Sequence, residues 1–304
     1  MNYQIRVPYE EALRFEHLRI RDIVWGWISL SPLERNIIDG FGYMRRLKFI
    51  RQLGFTYEVY PCGLGSRFEH SLGTMHVASK ILDVLCCKSD TMKESINNIS
   101  QYIVSNNNEE QRVNPSQLVK IHLRLAALLH DIGQLPFSHA LEGIFIKSLM
   151  DLKLELREEE INLLTTLLRE KIAKEHEIAT YFIITEGLTR YLKELYPNEP
   201  KEQGITIDTR IIAGLISPRM SKRLMQEECK EYMNGVKSEV LSSLKVLSTI
   251  LSSDLDADRI DYTLRDAHMT GAAIGIRLSS SEMEQLINDM HDIEKEGDKY
   301  VIVI

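Results

Sequence analysis

Cysteine is scarce in this sequence, and its four occurrences show no paired spacing of the kind that binds zinc. Two of them, Cys86 and Cys87, lie in an apolar stretch with helical periodicity, where buried thiols are common. This usage argues against a metal site built from paired thiolates. It indicates a reducing, cytoplasmic compartment.

Long apolar runs and an excess of positive charge are missing too. No stretch approaches the roughly 18 consecutive apolar residues of a membrane span, and the N-terminus lacks the charged start and apolar run of an export signal. We therefore expect neither insertion nor export. The net charge of −7 argues against a nucleic-acid footprint over the whole chain, although it allows a local basic groove.

What the sequence does contain is one helical pattern after another. The run Ser31-Pro32-Leu33-Glu34 predicts a helix start, with proline at the first position and an acidic first turn. Gly40 and Gly42 divide the following segment into two helices, and the second one is basic. A basic helix is usually a solvated face, but close to a metal site it would also suit phosphates.

Other stretches are less regular. The polar residues 88–117 predict a surface loop or a partly ordered insertion, whereas residues 152–174 predict an exposed helix and residues 236–252 another helix. The β-branched run 300–304 predicts a short strand, whose partner must lie earlier in the chain or on another chain.

The expected fold is therefore all-α, with a possible short C-terminal β-strand. We expect an N-terminal segment at 1–30, a main helical domain at 31–275, and at 276–304 the start of a C-terminal region that is truncated or completed by a second chain.

The chemistry is expected where an apolar helix ends, in the stretch from Leu128 to His139. Gly133 and Pro136 stop this helix, which places His130 and Asp131 on its last turn and leaves Gln134 and His139 in the loop that follows. Taken alone, the His-Asp pair could be a helix-terminal histidine favoured by the dipole, with a solvated aspartate.

Three further stretches carry candidate site residues. His70 opens a predicted helix beside Arg67, and His176 lies between two glutamates that could orient it, although it could also be a solvated helix residue. In the stretch 254–266, acidic side chains share one helical stripe. Like charges at a spacing of four repel each other, so a cation or a polar ligand on that face would explain the pattern.

Two histidines and two aspartates from separate helices form a mixed nitrogen and oxygen ligand set. Such a set suits Mn, Fe, Zn or Mg and leaves coordination positions open for water and phosphate oxygens. Because water on such an ion becomes a nucleophile near neutral pH, hydrolysis of a phosphoester is the expected reaction.

The ordered motifs RFEHSLG, HDIGQLPFSH, EHE and DADRIDYTLRD resemble those of the HD-domain phosphohydrolases, and within them the branch of the dNTP triphosphohydrolases. The resemblance implies a helical HD domain and a divalent metal ion. It also implies four metal ligands, which are His70, His130, Asp131 and Asp258.

The same resemblance assigns the substrate contacts. The residues implied to hold the phosphates are Arg67, Arg259 and Tyr262, and those implied to meet the sugar are Gln52, Leu53 and Asp266. His139 and His176 match the histidines near the scissile phosphate, where His139 could protonate the leaving oxygen.

The chain departs from this branch in three places. Gln134 stands where a further catalytic histidine is usual, and a glutamine forms hydrogen bonds but cannot transfer a proton at neutral pH. The run 22–26 replaces the usual proline and histidine, which puts the branch's activation by nucleotides in doubt, and the sequence stops before the branch's further C-terminal helical segment.

The expected activity is metal-dependent hydrolysis of a nucleotide, with a deoxynucleoside triphosphate giving deoxynucleoside and triphosphate. One alternative is a metal-dependent nuclease or phosphodiesterase acting on single-stranded nucleic acid. Another is a nucleotide-sensing HD scaffold that regulates a partner, an interpretation favoured by Gln134. The resemblance also predicts a homo-oligomer.

Overall fold

The structure of the chain is a computed structural model. It describes residues 3–15, 18–105, 113–135, 174–198, 200, 204–226, 236–271, 279–297 and 299–304. The helix predicted at 152–174 lies outside these residues, apart from Lys174 at its end.

Helices dominate the described residues, as the sequence predicts, and the strands form small pairs. In the N-terminal part, the elements are β1 Gln4–Pro8, α1 Tyr9–Leu13, β2 Leu18–Asp22, β3 Gly26–Leu30, α2 Pro32–Gly40, α3 Gly42–Arg46, α4 Arg67–Lys88, α5 Asp90–Ser105 and α6 Pro115–Leu129. After the gap they continue with α7 Glu175–Phe182, α8 Thr189–Leu195, β4 Gly204–Asp208, α9 Thr209–Ile216, α10 Pro218–Gln226, α11 Ser238–Leu247, α12 Ala257–Thr270, α13 Ser280–Asp289, β5 Asp292–Glu296 and β6 Lys299–Val303.

The helix starts follow local rules that the sequence carries. Ser31 and Glu34 form a capping box at the start of α2, with Pro32 at the first position, as predicted. Glu34 is also fully buried and pairs with Arg124 on α6, with 2.6 Å between its Oε1 and the arginine Nε. One side chain thus caps α2 and joins it to α6.

The long helix α4 lies at the centre of the molecule. A second capping box, formed by Ser66 and Glu69, begins it, and it packs against α6, α12 and α13. At Gly73 the approach of α12 is very close, because a Cβ added there would lie 1.7 Å from Oδ1 of Asp261. A glycine is therefore required where these two helices meet.

The prediction of a loop at 88–117 is wrong for most of its length. Residues 90–105 form α5, and its buried side chains Met92, Ile96, Ile99 and Ile103 recur at helical spacing. The polar side chains between them cover the outer face, so the average polarity of the segment concealed an amphipathic helix.

The strands tie distant parts of the chain together. β1 pairs antiparallel with β4, with Gln4 opposite Asp208, and β2 pairs with β3 in a hairpin. The predicted C-terminal strand is present as β6, and its partner β5 lies earlier in the same chain. Among the described helices, none combines the length and the apolar character that a membrane crossing requires.

Candidate metal centre

Three side chains from three helices meet at one point. His70 comes from α4, His130 from the C-terminal end of α6, and Asp258 from the first turn of α12, and one ligand atom of each lies within 4.8 Å of the others. Oδ1 of Asp258 is 2.8 Å from Nε2 of His70 and 3.6 Å from Nε2 of His130. This is the mixed nitrogen and oxygen set that divalent transition metals favour.

Both histidines are held by their other ring nitrogen. Nδ1 of His130 lies 2.8 Å from the carbonyl oxygen of Ala127, and Nδ1 of His70 lies 2.8 Å from Oδ2 of Asp261. Because a carbonyl oxygen can only accept, Nδ1 of His130 carries the proton, and its Nε2 is left for an ion. This arrangement is typical of metal-ligating histidines.

The donor set fits a divalent ion. Nε2 of His70 is buried 2.8 Å from Oδ1 of Asp258, in a contact whose angle is poor for a hydrogen bond. A buried polar atom in that state needs an explanation, and a cation between the imidazole and the carboxylate provides one.

The charges of the site depend on one another. Burial would lower the pKa of His70, but the carboxylates of Asp258 and Asp261 outweigh it and raise this pKa to about 10. Burial would likewise raise the pKa of Asp258, but His130 and His70 hold it well below its ordinary value. Without an ion the site therefore holds a protonated imidazole, whose proton a metal would displace.

Asp131, the fourth predicted ligand, lies beside this group. Its Oδ2 is 3.6 Å from Nε2 of His130, and the same oxygen is ion-paired with Arg67. Burial would raise the pKa of Asp131, but His130 and Arg67 lower it below its usual value. The structure thus brings three predicted ligands into one group and places the fourth next to it, between His130 and a buried guanidinium.

The predicted sugar contact Gln52 lies in the segment that leads into α4. Its backbone N–H donates to the carbonyl of Gly65 at 2.9 Å, and Leu53 beside it is half-buried. The side-chain oxygen of Gln52 is buried without a hydrogen-bond partner among the described residues, and so is that of Gln134. Buried amide oxygens of this kind mark places where a polar ligand or water is expected.

The predicted residues on α12 have different surroundings. Arg259 and Tyr262 are exposed, and Nε of Arg259 lies 3.9 Å from Oδ2 of the capping residue Asp256. Asp266 is half-buried, and burial raises its pKa to about 6. A carboxyl group with this pKa is partly protonated near neutral pH and can donate as well as accept a hydrogen bond.

Of the two remaining predicted site histidines, the structure describes His176. His139 lies outside the described residues. His176 is half-buried in the first turn of α7, and its carbonyl oxygen would be 2.3 Å from a Cβ added at Gly133. Gly133 therefore lets the start of α7 approach the end of α6, which carries His130.

Sequence reasoning missed the groups that support the ligands. Asp261 is fully buried behind His70, and it accepts hydrogen bonds from Arg265 and from the indole Nε1 of Trp25. Asp261 follows Asp258 by three positions, and residues at that spacing lie next to each other on a helix, so the sequence did indicate that Asp261 is close to the site. For Trp25 there was none, because it contacts a residue 236 positions away.

A protein-family model described as "HD domain" matches residues 67–213 of the chain. The human deoxynucleoside triphosphate triphosphohydrolase SAMHD1 is 27% identical over 256 residues, which are 83% of this chain and 33% of that protein. An uncharacterized protein of Mycoplasma pneumoniae is 28% identical over 253 residues, 83% of this chain and 42% of that protein. The chain thus spans less than half the length of these relatives.

Among solved structures, the fold resembles a hypothetical protein from Aquifex aeolicus with a TM-score of 0.53 and 22% sequence identity. The match covers 94% of this chain and 53% of the other. At this identity the likeness concerns the fold alone.

Proposed function

This chain carries an HD domain of the metal-dependent phosphohydrolases, and from that premise we propose that it hydrolyses deoxynucleoside triphosphates to deoxynucleoside and triphosphate. The observation that carries the proposal is the group of His70, His130 and Asp258, whose ligand atoms lie within 4.8 Å of one another. A bound divalent ion would supply Lewis-acid polarisation of a phosphoryl oxygen and would lower the pKa of water.

The protein's own residues would handle the triphosphate. Arg259 is exposed on the first turn of α12, close to Asp258, and Arg67 is buried against Asp131. Guanidinium groups near metal ligands suit the paired oxygens of phosphates, which Arg binds as a fork. Tyr262, one turn after Asp258 on α12, adds a phenol donor on the same face.

Proton transfer belongs to the histidines in this proposal. His139 protonates the leaving oxygen and His176 also serves the scissile phosphate, whereas Gln134 can only form hydrogen bonds. We therefore expect Gln134→His to raise turnover, because general acid-base help contributes about 10²–10⁴-fold. Unchanged turnover in Gln134→His, with activity abolished in His139→Ala, would leave His139 as the sole proton donor.

The sugar contacts separate a free nucleotide from a polymer. We propose that Gln52 and Asp266 bind the 3′-hydroxyl, which an internal nucleotide of a polymer does not have free. A site that buries polar partners for a hydroxyl rejects analogues without it by as much as about 10⁴–10⁵-fold. Two observations support this assignment: the side-chain oxygen of Gln52 is buried without a hydrogen-bond partner in the described part of the chain, and the pKa of Asp266 is raised.

The experiment is to incubate the purified protein and Mn²⁺ with the four dNTPs, the four NTPs, dideoxynucleotides and a single-stranded oligonucleotide, and to separate the products. We expect deoxynucleoside and triphosphate from dNTPs and little product from dideoxynucleotides. Asp266→Ala should lose more activity on dNTPs than on an artificial phosphodiester, which has no sugar. Internal cleavage of the oligonucleotide by both wild type and Asp266→Ala would contradict the proposal.

One observation favours the nuclease alternative. The aromatic side chains of Tyr43, on α3, and of Phe49, Phe55 and Tyr60, in the segment between α3 and α4, are exposed. Three exposed basic residues lie among them, Arg45, Lys48 and Arg51. Aromatic rings for stacking and cations for the backbone are what single-stranded nucleic acid requires. Phe49→Ala separates the two activities, because it should weaken oligonucleotide cleavage and leave dNTP hydrolysis unchanged.

A further inference from the structure

The N-terminal hairpin places the side chain of Trp25 next to the metal centre. Trp25, in the turn between β2 and β3, is 8% exposed, whereas Trp27 two residues later is 56% exposed. The indole Nε1 of Trp25 donates to Oδ1 of Asp261 at 2.6 Å, and Oδ2 of Asp261 lies 2.8 Å from Nδ1 of His70. Two hydrogen bonds therefore connect the hairpin to a metal-ligating histidine.

The turn that presents Trp25 is itself fixed to α12. Oδ1 of Asp22 accepts the backbone N–H groups of Val24 and Trp25 at 2.8 and 2.9 Å. Its Oδ2 accepts from Nη1 of Arg265 at 2.9 Å. The indole position is thus determined by the backbone turn and by an ion pair, and does not depend on apolar packing alone.

Arg265 also binds Asp261 in a fork, with Nε and Nη2 each 2.9 Å from one carboxylate oxygen. Each oxygen of Asp261 consequently has two donors: Oδ1 has Arg265 and Trp25, and Oδ2 has Arg265 and His70. The indole N–H and the imidazole N–H thus bind opposite oxygens of the same carboxylate. Without the indole, Oδ1 would lose one of its two donors, and the plane of the carboxylate would be fixed by Arg265 and His70 alone.

We propose that Trp25 is a positioning residue for the metal centre, which fixes the Asp261 carboxylate so that it holds His70 as the tautomer with Nδ1–H and presents Nε2 to the ion. This inference rests on the metal site of the proposed function. A group bonded directly to a ligating histidine typically contributes about 10–100-fold in metal affinity. Trp25 acts one bond further away, so we expect a loss of about 3- to 10-fold when its donor is removed.

The chain allows a clean test, because it contains two tryptophans. Trp25→Phe keeps an aromatic ring against the neighbouring His76, whose ring centre is 5.7 Å away, and removes the N–H donor. Trp27→Phe is the matched control on the same hairpin. After removal of metal with a chelator, Mn²⁺ affinity is measured by calorimetry, and the melting temperature of the metal-free protein is measured for each variant.

We expect Trp25→Phe to weaken Mn²⁺ binding about 3- to 10-fold with little change in the metal-free melting temperature, and Trp27→Phe to bind as the wild type does. Equal Mn²⁺ affinity in Trp25→Phe and the wild type overturns the inference. That result would leave the proposed function intact as long as the wild type still hydrolyses dNTPs. Conversely, weakened binding in Trp25→Phe without dNTP hydrolysis by the wild type supports the inference and refutes the substrate.

A second measurement decides the matter if Trp25→Phe does not fold. In Trp27→Phe, all tryptophan emission comes from Trp25, so Mn²⁺ should change this emission along a saturation curve that agrees with calorimetry. Emission that stays constant while calorimetry shows the site filling overturns the inference. Absence of Mn²⁺ binding by the wild type refutes both the metal site and the role of Trp25.

Discussion

At the scale of single residues, the site is governed by His70, whose imidazole lies between two carboxylates. Its pKa is raised to about 10, so at neutral pH both ring nitrogens of His70 are protonated in the metal-free protein. A metal needs the neutral imidazole, and a rise in pH therefore removes a competitor. A site made of carboxylates alone would show little dependence near neutral pH, because its ligands are already deprotonated there.

We accordingly predict that Mn²⁺ binds more tightly as the pH rises from 6 to 8, by at least about tenfold per pH unit, which corresponds to one displaced proton. Calorimetry in two buffers with different ionisation enthalpies counts the protons released. An affinity that does not change over this range would contradict a protonated His70 in the metal-free protein.

The carboxylate of Asp258 faces both histidines and has the contacts expected of a ligand. Asp258→Asn removes its charge at nearly constant shape, and we predict a loss of Mn²⁺ affinity greater than the roughly 10–100-fold seen for groups behind the ligands. Asp254→Asn is the matched control, because that side chain is exposed on the loop before α12. Wild-type affinity in Asp258→Asn would exclude this residue as a ligand.

At the residue scale, the sequence predicts some of the ligand residues but not all of their contacts. His70, His130 and Asp258 could be found because their motifs have a fixed order along the chain. The contacts of Asp131 could not, because an aspartate next to a histidine can turn toward the ion or toward Arg67, and only the packing of α4 on α6 decides between them.

At the scale of elements, the close approach of α4 and α12 is what brings His70 and Asp258 together. Gly73 permits it, because an added Cβ would lie 1.7 Å from Oδ1 of Asp261 and 2.5 Å from Nη2 of Arg265. Both atoms belong to a buried ion pair, which cannot move aside without losing hydrogen bonds.

We predict that Gly73→Ala lowers the free energy of unfolding by at least about 1–3 kcal/mol, the usual cost of overpacking, and weakens Mn²⁺ binding. Gly42→Ala is the control, because a Cβ placed there would have no described atom within 4 Å. Urea unfolding of the metal-free proteins and calorimetry with Mn²⁺ check both effects. Equal stability of the two variants would show that α12 can shift without cost.

Elements were predictable where a cap or a glycine marks their end, as at Ser31 and Gly40. The sequence was less informative where an element depends on a distant partner. β1 is stable because β4 pairs with it, about 200 positions later, and no local pattern announces that contact.

At the scale of the whole molecule, the expected boundary at residue 30 separates parts that are packed together. Val7, Ile28 and Leu30 are fully buried, and Trp25 contacts Asp261 in the main domain. We propose that residues 1–30 and the helical domain fold as one unit.

Removal of residues 1–30 should therefore abolish the cooperative thermal transition, as followed by circular dichroism. A chain ending at Met290 is the control, because Ile293 is the one buried side chain among the described residues of β5 and β6. That shorter chain should unfold cooperatively at a somewhat lower temperature and still bind Mn²⁺. A cooperative, metal-binding protein without residues 1–30 would contradict the single unit.

The distance along the chain between His70 and Asp258 also bears on the order in which the protein is made. About 190 residues separate them, and at roughly 5–20 residues per second the ribosome needs about 10 to 40 s to cover that interval. For most of that time His70 and the apolar side of β1 are already synthesised, while β4 and, after it, α12 are not yet available to cover them. The nascent chain must therefore keep a half-built metal site and an unpaired strand away from other chains until its last third has been synthesised.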